Sequence, residues 1–325
     1  MNETLVIGST VVDVSLNLPF LPRRGEDINI SAPEYRIGGC AYNVYRALKL
    51  LSSPVLLCSP VGSGVHGSMV KEQFMKEGLV PIASLEEENG CCYCLIEPDG
   101  ERTFLSHHGA EYLFYRSWME SIDFSGAGTV YVSGLELEES TNDEIVSFVC
   151  EHPELELHFS PGPRIMYIPA GIMERLMRRR GRNGRGPVLH LNETEALSIA
   201  GGSPSPVLTR SMLQKFPADG SGRGKIEAAA EFLARKTENS VIVTLGERGC
   251  YCLERAGMAG NFIPGFPAQV IDTVGAGDAH CGSLIACLKE GMGLEDACLR
   301  ANRIGAAVVG VPSAVLDRLP EGFPG

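Results

Sequence analysis

At 325 residues, with 44% hydrophobic and 21% charged composition, the chain is long enough to bury a sizeable core and reads as one large globular domain, 1–325, with small additions. A formal charge of −12 argues against a polyanion-binding surface, so no nucleic-acid partner is expected, although local backbone dipoles can still hold a small anion. Its 11 cysteines are odd in number, scattered and mostly in apolar contexts, which is the pattern of reduced thiols. With no apolar run of membrane-spanning length, a cytoplasmic protein without a membrane partner is expected.

Along the chain, apolar runs at 4–8, 55–61, 129–134, 155–159, 187–191 and 240–245 predict buried strands. Helical periodicity at 43–51, 67–77, 142–151, 172–180, 225–236, 279–290 and 294–309 separates most of them. Such alternation predicts an α/β fold, doubly wound, with a mostly parallel sheet flanked by helices. Two stretches break the pattern, at 14–37 and 90–106, where segments alternate without helical period. Cys92 and Cys94 would share one strand face there while Cys91 points away, which disfavours a metal cluster. Loose surface loops are expected at 178–186, where the arginine run reads as a solvated helix end, and at 201–224.

Two glycine-rich segments compete for a nucleotide. Gly62-Ser-Gly64-Val-His-Gly67 follows a strand, precedes a helix and has acids at Glu86 to Glu88, a formal dinucleotide match that would make the protein an NAD-dependent oxidoreductase. The second, Asp272-Thr-Val-Gly-Ala-Gly-Asp278-Ala-His-Cys-Gly282, carries more chemistry. Gly275, Ala276 and Gly277 let backbone N–H groups converge on an anion at a helix start, and Asp278 behind them is placed to take a proton from an attacking hydroxyl. A helix cap would explain Asp278 alone but not three small residues before it.

That turn resembles the C-terminal signature of the ribokinase (PfkB) family of carbohydrate and nucleoside kinases. Gly38-Gly-Cys-Ala-Tyr-Asn43 is similar to the family's N-terminal substrate signature, and Gly8-Ser9 with Asp13, Gly100-Glu-Arg102-Thr-Phe104, Asn192-Glu-Thr-Glu195 and Thr244-Leu-Gly246-Glu-Arg-Gly249 extend the resemblance over nearly the whole chain. It implies a ribokinase-like sheet with the 14–37 and 90–106 segments as a discontinuous β lid over the substrate. It also implies an ATP-dependent kinase in which Asp278 is the base and the backbone of Gly275, Ala276, Gly277 and Asp278 the anion hole. Asp13, Gly38, Gly39, Asn43, Arg102 and Glu136 would meet the acceptor, a sugar or, as the alternative, a nucleoside. Asn192, Thr244, Gly246, Gly249 and Asn302 would face the nucleotide. Glu195 would hold Mg²⁺ through water, as suits an ion that keeps much of its hydration; Asn192 with Glu195 also reads as a capping box.

Asp272 and the carbonyl of Val274 match positions that in many relatives line a monovalent-cation site, and the short stretch before Pro312 leaves potassium dependence and donor preference open. Cys40 stands where ribokinases have lysine, which disfavours ribose; Tyr42 fits either ring stacking or the core. A lid-mediated homodimer is compatible with the resemblance. A catalytically silent sugar or nucleotide sensor with this fold is the remaining alternative.

Overall fold

The computed structural model describes residues 3–98, 102–202 and 222–319. Six apolar runs form parallel strands: β1 (Glu3–Ile7), β4 (Val55–Cys58), β9 (Ala127–Ser133), β10 (Glu156–Ser160), β11 (Val188–Asn192) and β12 (Val241–Thr244). With antiparallel β13 (Cys250–Leu253) and β14 (Asn261–Ile263) they make one eight-stranded sheet in the order β14-β13-β12-β11-β10-β9-β1-β4. Side chains alternate across it, as period two demands. Leu5, Ile7, Val130 and Val132 enter one core with α4 (Asn142–Glu151), α5 (Ala170–Arg178), α6 (Glu193–Ala200) and α7 (Arg223–Thr237). Val6, Tyr131 and Ile242 face the other layer, made by α1 (Cys40–Leu50), α2 (Gly64–Glu77), α8 (Ala276–Lys289) and α9 (Leu294–Val308). A short α3 (Arg116–Glu120) precedes β9 and packs on α4.

The lid is a four-stranded sheet, β3-β2-β7-β8, built from β2 (Val11–Asn17), β3 (Glu34–Gly38), β7 (Cys91–Ile96) and β8 (Arg102–His107). It begins at Val11, three residues before the expected start. Val12 and Val14 anchor its root in the α1/α2 core, while Asp13, between them, faces the opposite way.

Several expectations change. The 55–61 run is two elements, because Val61–Ser63 leaves the main sheet as β5 and pairs with β6 (Ser84–Glu88) in a separate ribbon. Gly62 and Gly67 serve close packing in that ribbon: a Cβ at Gly62 would lie 2.5 Å from the Glu87 carbonyl, and one at Gly67 2.3 Å from the Gly62 carbonyl. Glu86 to Glu88 form the exposed partner strand, so the dinucleotide match dissolves into ribbon geometry. Nor is the arginine run all solvated. Arg179 is 5% exposed and donates to the carbonyls of Val149 at 3.0 Å, His152 at 2.9 Å and Leu155, satisfying chain ends that leave α4 and enter β10. Tyr42 belongs to the core, its hydroxyl donating to Glu77 at 2.6 Å. Most of the expected 201–224 loop, residues 203–221, lies outside the described residues.

Candidate active site

The parallel strands end at one edge of the sheet, and there the N-termini of α1 and α8 meet. Glycines make that approach possible. Gly282 of α8 sits so close to α1 that a Cβ would lie 2.7 Å from Cβ of Ala47 and 2.8 Å from the Val44 carbonyl. Gly39, at φ 97°, passes 2.8 Å from the Ser9 carbonyl by the same measure, and a Cβ on Gly38 would stand 2.0 Å from Oδ2 of Asp13. Both lid and helix therefore converge on one spot. Gly275, at φ 76°, turns the chain into α8 against Ala314, leaving Asp278 in the first turn, where backbone N–H groups have no intrahelical acceptor.

Asn43, from the first turn of α1, donates from Nδ2 to Oδ2 of Asp278 at 2.9 Å, joining the two signatures across 235 residues. Its Oδ1 is buried without a hydrogen-bond partner among the described residues, an acceptor left over for a ligand hydroxyl. Burial pushes Asp278 up to about 6, against the pull of its contacts with Asn43 and Cys40. Asp13 is pushed to about 7 by burial and then by the charges of Asp278 and Asp272. Burial and Asp278 push the Cys40 thiol well up, so it stays protonated beside the carboxylate.

A cavity of about 210 Å³ runs from Cys40 and Asp278, past Gly275 and Gly277, to Asn192, Glu195 and Thr244. The wall on that far side is the capping box the sequence suggested: Asn192 Oδ1 accepts from the Glu195 N–H at 2.8 Å, and Glu195 accepts from the Asn192 N–H at 3.0 Å and its Nδ2 at 2.7 Å. Burial raises Glu195 to about 7, with Asp278 adding to the rise. Thus three carboxylates, Asp13, Asp278 and Glu195, surround the cavity and its lid with their charged forms disfavoured. An arrangement of that kind suits a multiply charged cation and an anion held by backbone amides.

The model of the pfkB family of carbohydrate kinases matches residues 1–151 and 192–321. The chain belongs to the pfkB family. Its family activity is accordingly phosphoryl transfer to a hydroxyl acceptor, which replaces the oxidoreductase reading. Among related sequences, a sugar kinase of Escherichia coli K12, YegV, itself uncharacterized, is 33% identical over 309 residues, covering 95% of this chain and 88% of that one. Among solved structures, ribokinase from Giardia lamblia superposes with a TM-score of 0.78 at 19% identity, covering 98% of each chain. A putative ribokinase II from E. coli in complex with ATP and Mg²⁺ gives a TM-score of 0.71 at 17% identity, covering 100% of this chain and 96% of that one. The pfkB fold, lid included, is therefore the fold of this chain.

Within the pfkB frame the other expected residues divide. Arg102, expected at the acceptor, reaches from the lid to Oδ1 of Asp272 at 2.8 Å and Oγ1 of Thr273 at 3.0 Å, latching lid to anion loop. Glu136 is 1% exposed and fully engaged. Its Oε1 accepts from the N–H of Ser9 at 2.7 Å and the hydroxyl of Ser9 at 2.8 Å, while Oε2 accepts from Ser133. It braces the turn after β1 from within, both of its oxygens already accepting from serines. Thr244 sits on the cavity, donating its hydroxyl to the Leu191 carbonyl at 3.3 Å. Gly246 and Gly249 shape the β12–β13 turn with φ of 62° and 90°, and the Cβ that Gly249 lacks would lie 2.1 Å from the Ile263 carbonyl. Asn302 is buried, its amide committed to the backbone after β14.

Three features had no sequence signal assigned to them. Tyr131 lines the cavity floor, wholly buried, with a hydroxyl that has no hydrogen-bond partner among the described residues. His108 contacts Glu139 at 2.6 Å and stacks on Tyr112, while Glu138 is held by both Nε and a terminal nitrogen of Arg164 at 2.6 and 2.9 Å. His190 lines the cavity and bonds to His280 at 2.9 Å.

Proposed function

We propose that this pfkB kinase transfers the γ-phosphoryl group of ATP to a hydroxyl of a sugar, acting as one catalytic unit with its lid. The observation that carries the proposal is the 2.9 Å bond between Asn43 and Asp278, at a cavity that also opens on Gly275, Gly277, Asn192 and Glu195. The acceptor's hydroxyl gives its proton to the Asp278 carboxylate as its oxygen bonds to the γ-phosphorus, and the bond from that phosphorus to the bridging oxygen breaks, releasing ADP. First-turn amides of α8, from Gly275 to Asp278, stabilise charge on the phosphoryl oxygens. Asp13 and the free Oδ1 of Asn43 orient the acceptor, and Gly38 and Gly39 let it approach the backbone. Mg²⁺, when bound, screens the triphosphate. Glu195 is the residue to hold it, through water, since both of its oxygens already accept from Asn192 and its raised pKa marks an anion in want of positive charge. In this arrangement the Arg102 guanidinium balances the charge of Asp272.

One register row across the four lid strands runs Tyr35, Val14, Tyr93, Leu105, with buried Val14 between the well-exposed Tyr35 and the pair Tyr93 and Leu105, and we extend the proposal to a homodimer formed on these exposed side chains.

The test is ADP release from ATP and Mg²⁺ across a panel of sugars, sugar phosphates and nucleosides, with the Asp278→Asn protein as blank. Acceptor-dependent release absent from the blank is expected with a sugar. Release with nucleosides only would replace the sugar, and equal release from the variant would remove Asp278 from its role.

A further inference from the structure

His280 lies in the signature turn, two residues beyond the proposed base, yet phosphoryl transfer as described gives it no task. It is buried. Its Nδ1 stands 2.9 Å from Nε2 of His190, and its Nε2 stands 3.1 Å from Oδ1 of Asn302. Asn302 in turn directs Nδ2 at the carbonyls of Ile263, 3.2 Å away, and Pro264, 3.0 Å away.

The order of protons along this chain follows from its last link. Carbonyls only accept, so the nitrogen of the Asn302 amide must face them and its oxygen must face His280. That oxygen accepts, which puts the His280 proton on Nε2 and leaves a lone pair at Nδ1. His190 therefore donates from Nε2. Burial and the neighbouring His280 ring hold His190 well below its ordinary range, so it remains a neutral ring with a single proton to give. The links from His190 through His280 and Asn302 to the two carbonyls then have one consistent order of donors and acceptors, with the Cys250 thiol lying against His280 and Asn302 beside them.

The segments it joins all frame the donor side of the cavity. His190 is on β11, two residues before Asn192, and lines the cavity itself. His280 is on α8 with Asp278. Asn302 is on α9, and Ile263 with Pro264 closes against Gly249 after the β12–β13 turn. α8 and α9 come close where Gly305 passes, a Cβ there lying 3.5 Å from the Ala276 carbonyl and 3.9 Å from Cβ of His280, and they pack through Leu284, Ala301 and Ile304 as well. The directional chain adds a polar constraint on register to that packing.

We propose that His280 is a positioning residue for the phosphate donor, holding the β11 wall and the Ile263–Pro264 segment in one register with Asp278. This rests on the ATP-kinase assignment and deepens its donor side.

The experiment compares wild type, His280→Phe and His280→Gln in Mg²⁺. The affinity for AMP-PNP is measured by titration calorimetry, and KM is measured for ATP and for the acceptor. Phenylalanine fills the ring's space without polar atoms; glutamine offers a carbonyl and an N–H in place of the two ring nitrogens. Expected for His280→Phe is a loss of about tenfold in AMP-PNP affinity, equivalent to about 1.4 kcal/mol, and a matching rise in KM for ATP, with acceptor KM within about twofold of wild type. His280→Gln is expected to recover most of that loss. Wild-type affinity in His280→Phe overturns the proposal by reducing the ring to packing, as does an equal loss in both variants, since a restored carbonyl and N–H would then restore nothing. Wild-type protein that binds no AMP-PNP would overturn the donor assignment beneath it.

Discussion

Asp278→Asn should make the protein more stable and nearly inactive, and the stability gain should depend on pH. Asp278 is carried from an ordinary 3.8 to about 6 in the fold, chiefly by burial. The native state thus binds this proton more tightly than the unfolded chain does. The resulting stability is fully present below pH 4 and is lost as pH rises through 6. At pH 8 the ionised carboxylate costs about 2 pKa units, or about 3 kcal/mol at 1.36 kcal/mol per unit, taken as a ceiling. Asparagine keeps an oxygen to accept from Asn43 and removes the like charge that helps to raise Asp13 and Glu195. With an unfolding entropy of about 2.1 cal/mol/K per residue over 325 residues, 3 kcal/mol corresponds to a Tm rise of about 4 °C. Turnover should fall by roughly 10²- to 10⁴-fold, the usual contribution of a general base. Wild-type kcat/KM should show an acid limb near pH 6. Calorimetric melts at pH 4 and pH 8, with coupled ADP release, check all of this. A Tm gain equal at both pH values, or none at pH 8, would refute the electrostatic reasoning; unchanged turnover would refute the base.

Chelation by EDTA should abolish transfer and added Mg²⁺ should restore it, and transfer that survives chelation would rule out the Glu195 role. Gly38→Ala forces a methyl to within 2.0 Å of where Asp13 Oδ2 now lies, so acceptor KM should rise by about tenfold or more while KM for ATP holds; unaltered acceptor KM would remove Asp13 from the acceptor site. Tyr131→Phe deletes a buried hydroxyl without a partner and should leave stability unchanged or raise it by up to about 1 kcal/mol, whereas a clear loss in a thermal melt would reveal a bond to that oxygen. Sedimentation should find a dimer that Tyr93→Lys dissociates, and a monomeric wild type would discard the lid interface.

Much of the fold was legible because buried strands in a doubly wound sheet are short apolar runs, and the helices between them carry a clear period. The errors in the helices are instructive. α1, α2 and α8 were expected from Asn43, Gly67 and Ala279 but begin at Cys40, Gly64 and Ala276, each three residues earlier. Apolar periodicity reports the part of a helix that packs on the sheet. The first turn of α8, Ala276-Gly277-Asp278-Ala279, has small side chains and one acid, and that of α1, Cys40-Ala41-Tyr42-Asn43, mixes small, aromatic and polar residues, so neither extends the apolar period. Those turns hold Asn43 and Asp278. The signal that locates a helix fades just where its N–H groups are left free for a ligand.

The site divides along the same line. Asp278 and its glycines were visible because the turn depends on local backbone geometry that only certain residue types permit, and Asp13 and Asn43 were visible through the resemblance of the motifs that carry them. Partners supplied from far along the chain were not visible. Nothing in the run of arginines distinguishes Arg179, which turns inward to three carbonyls, from Arg178 and Arg182, which stay exposed. Glu136 was placed by its match to a family position, but whether a strand-end carboxylate is free or engaged depends on Ser9, 127 residues away. His280 is the sharpest case: it was in view inside the most informative motif, yet its meaning lies with His190, 90 residues before it, and Asn302, 22 after. A motif names the residues that touch the reacting groups, because those must sit on one turn. The residues that hold such a turn against its neighbours come from whichever strands and helices the topology brings alongside, so only the folded chain identifies them.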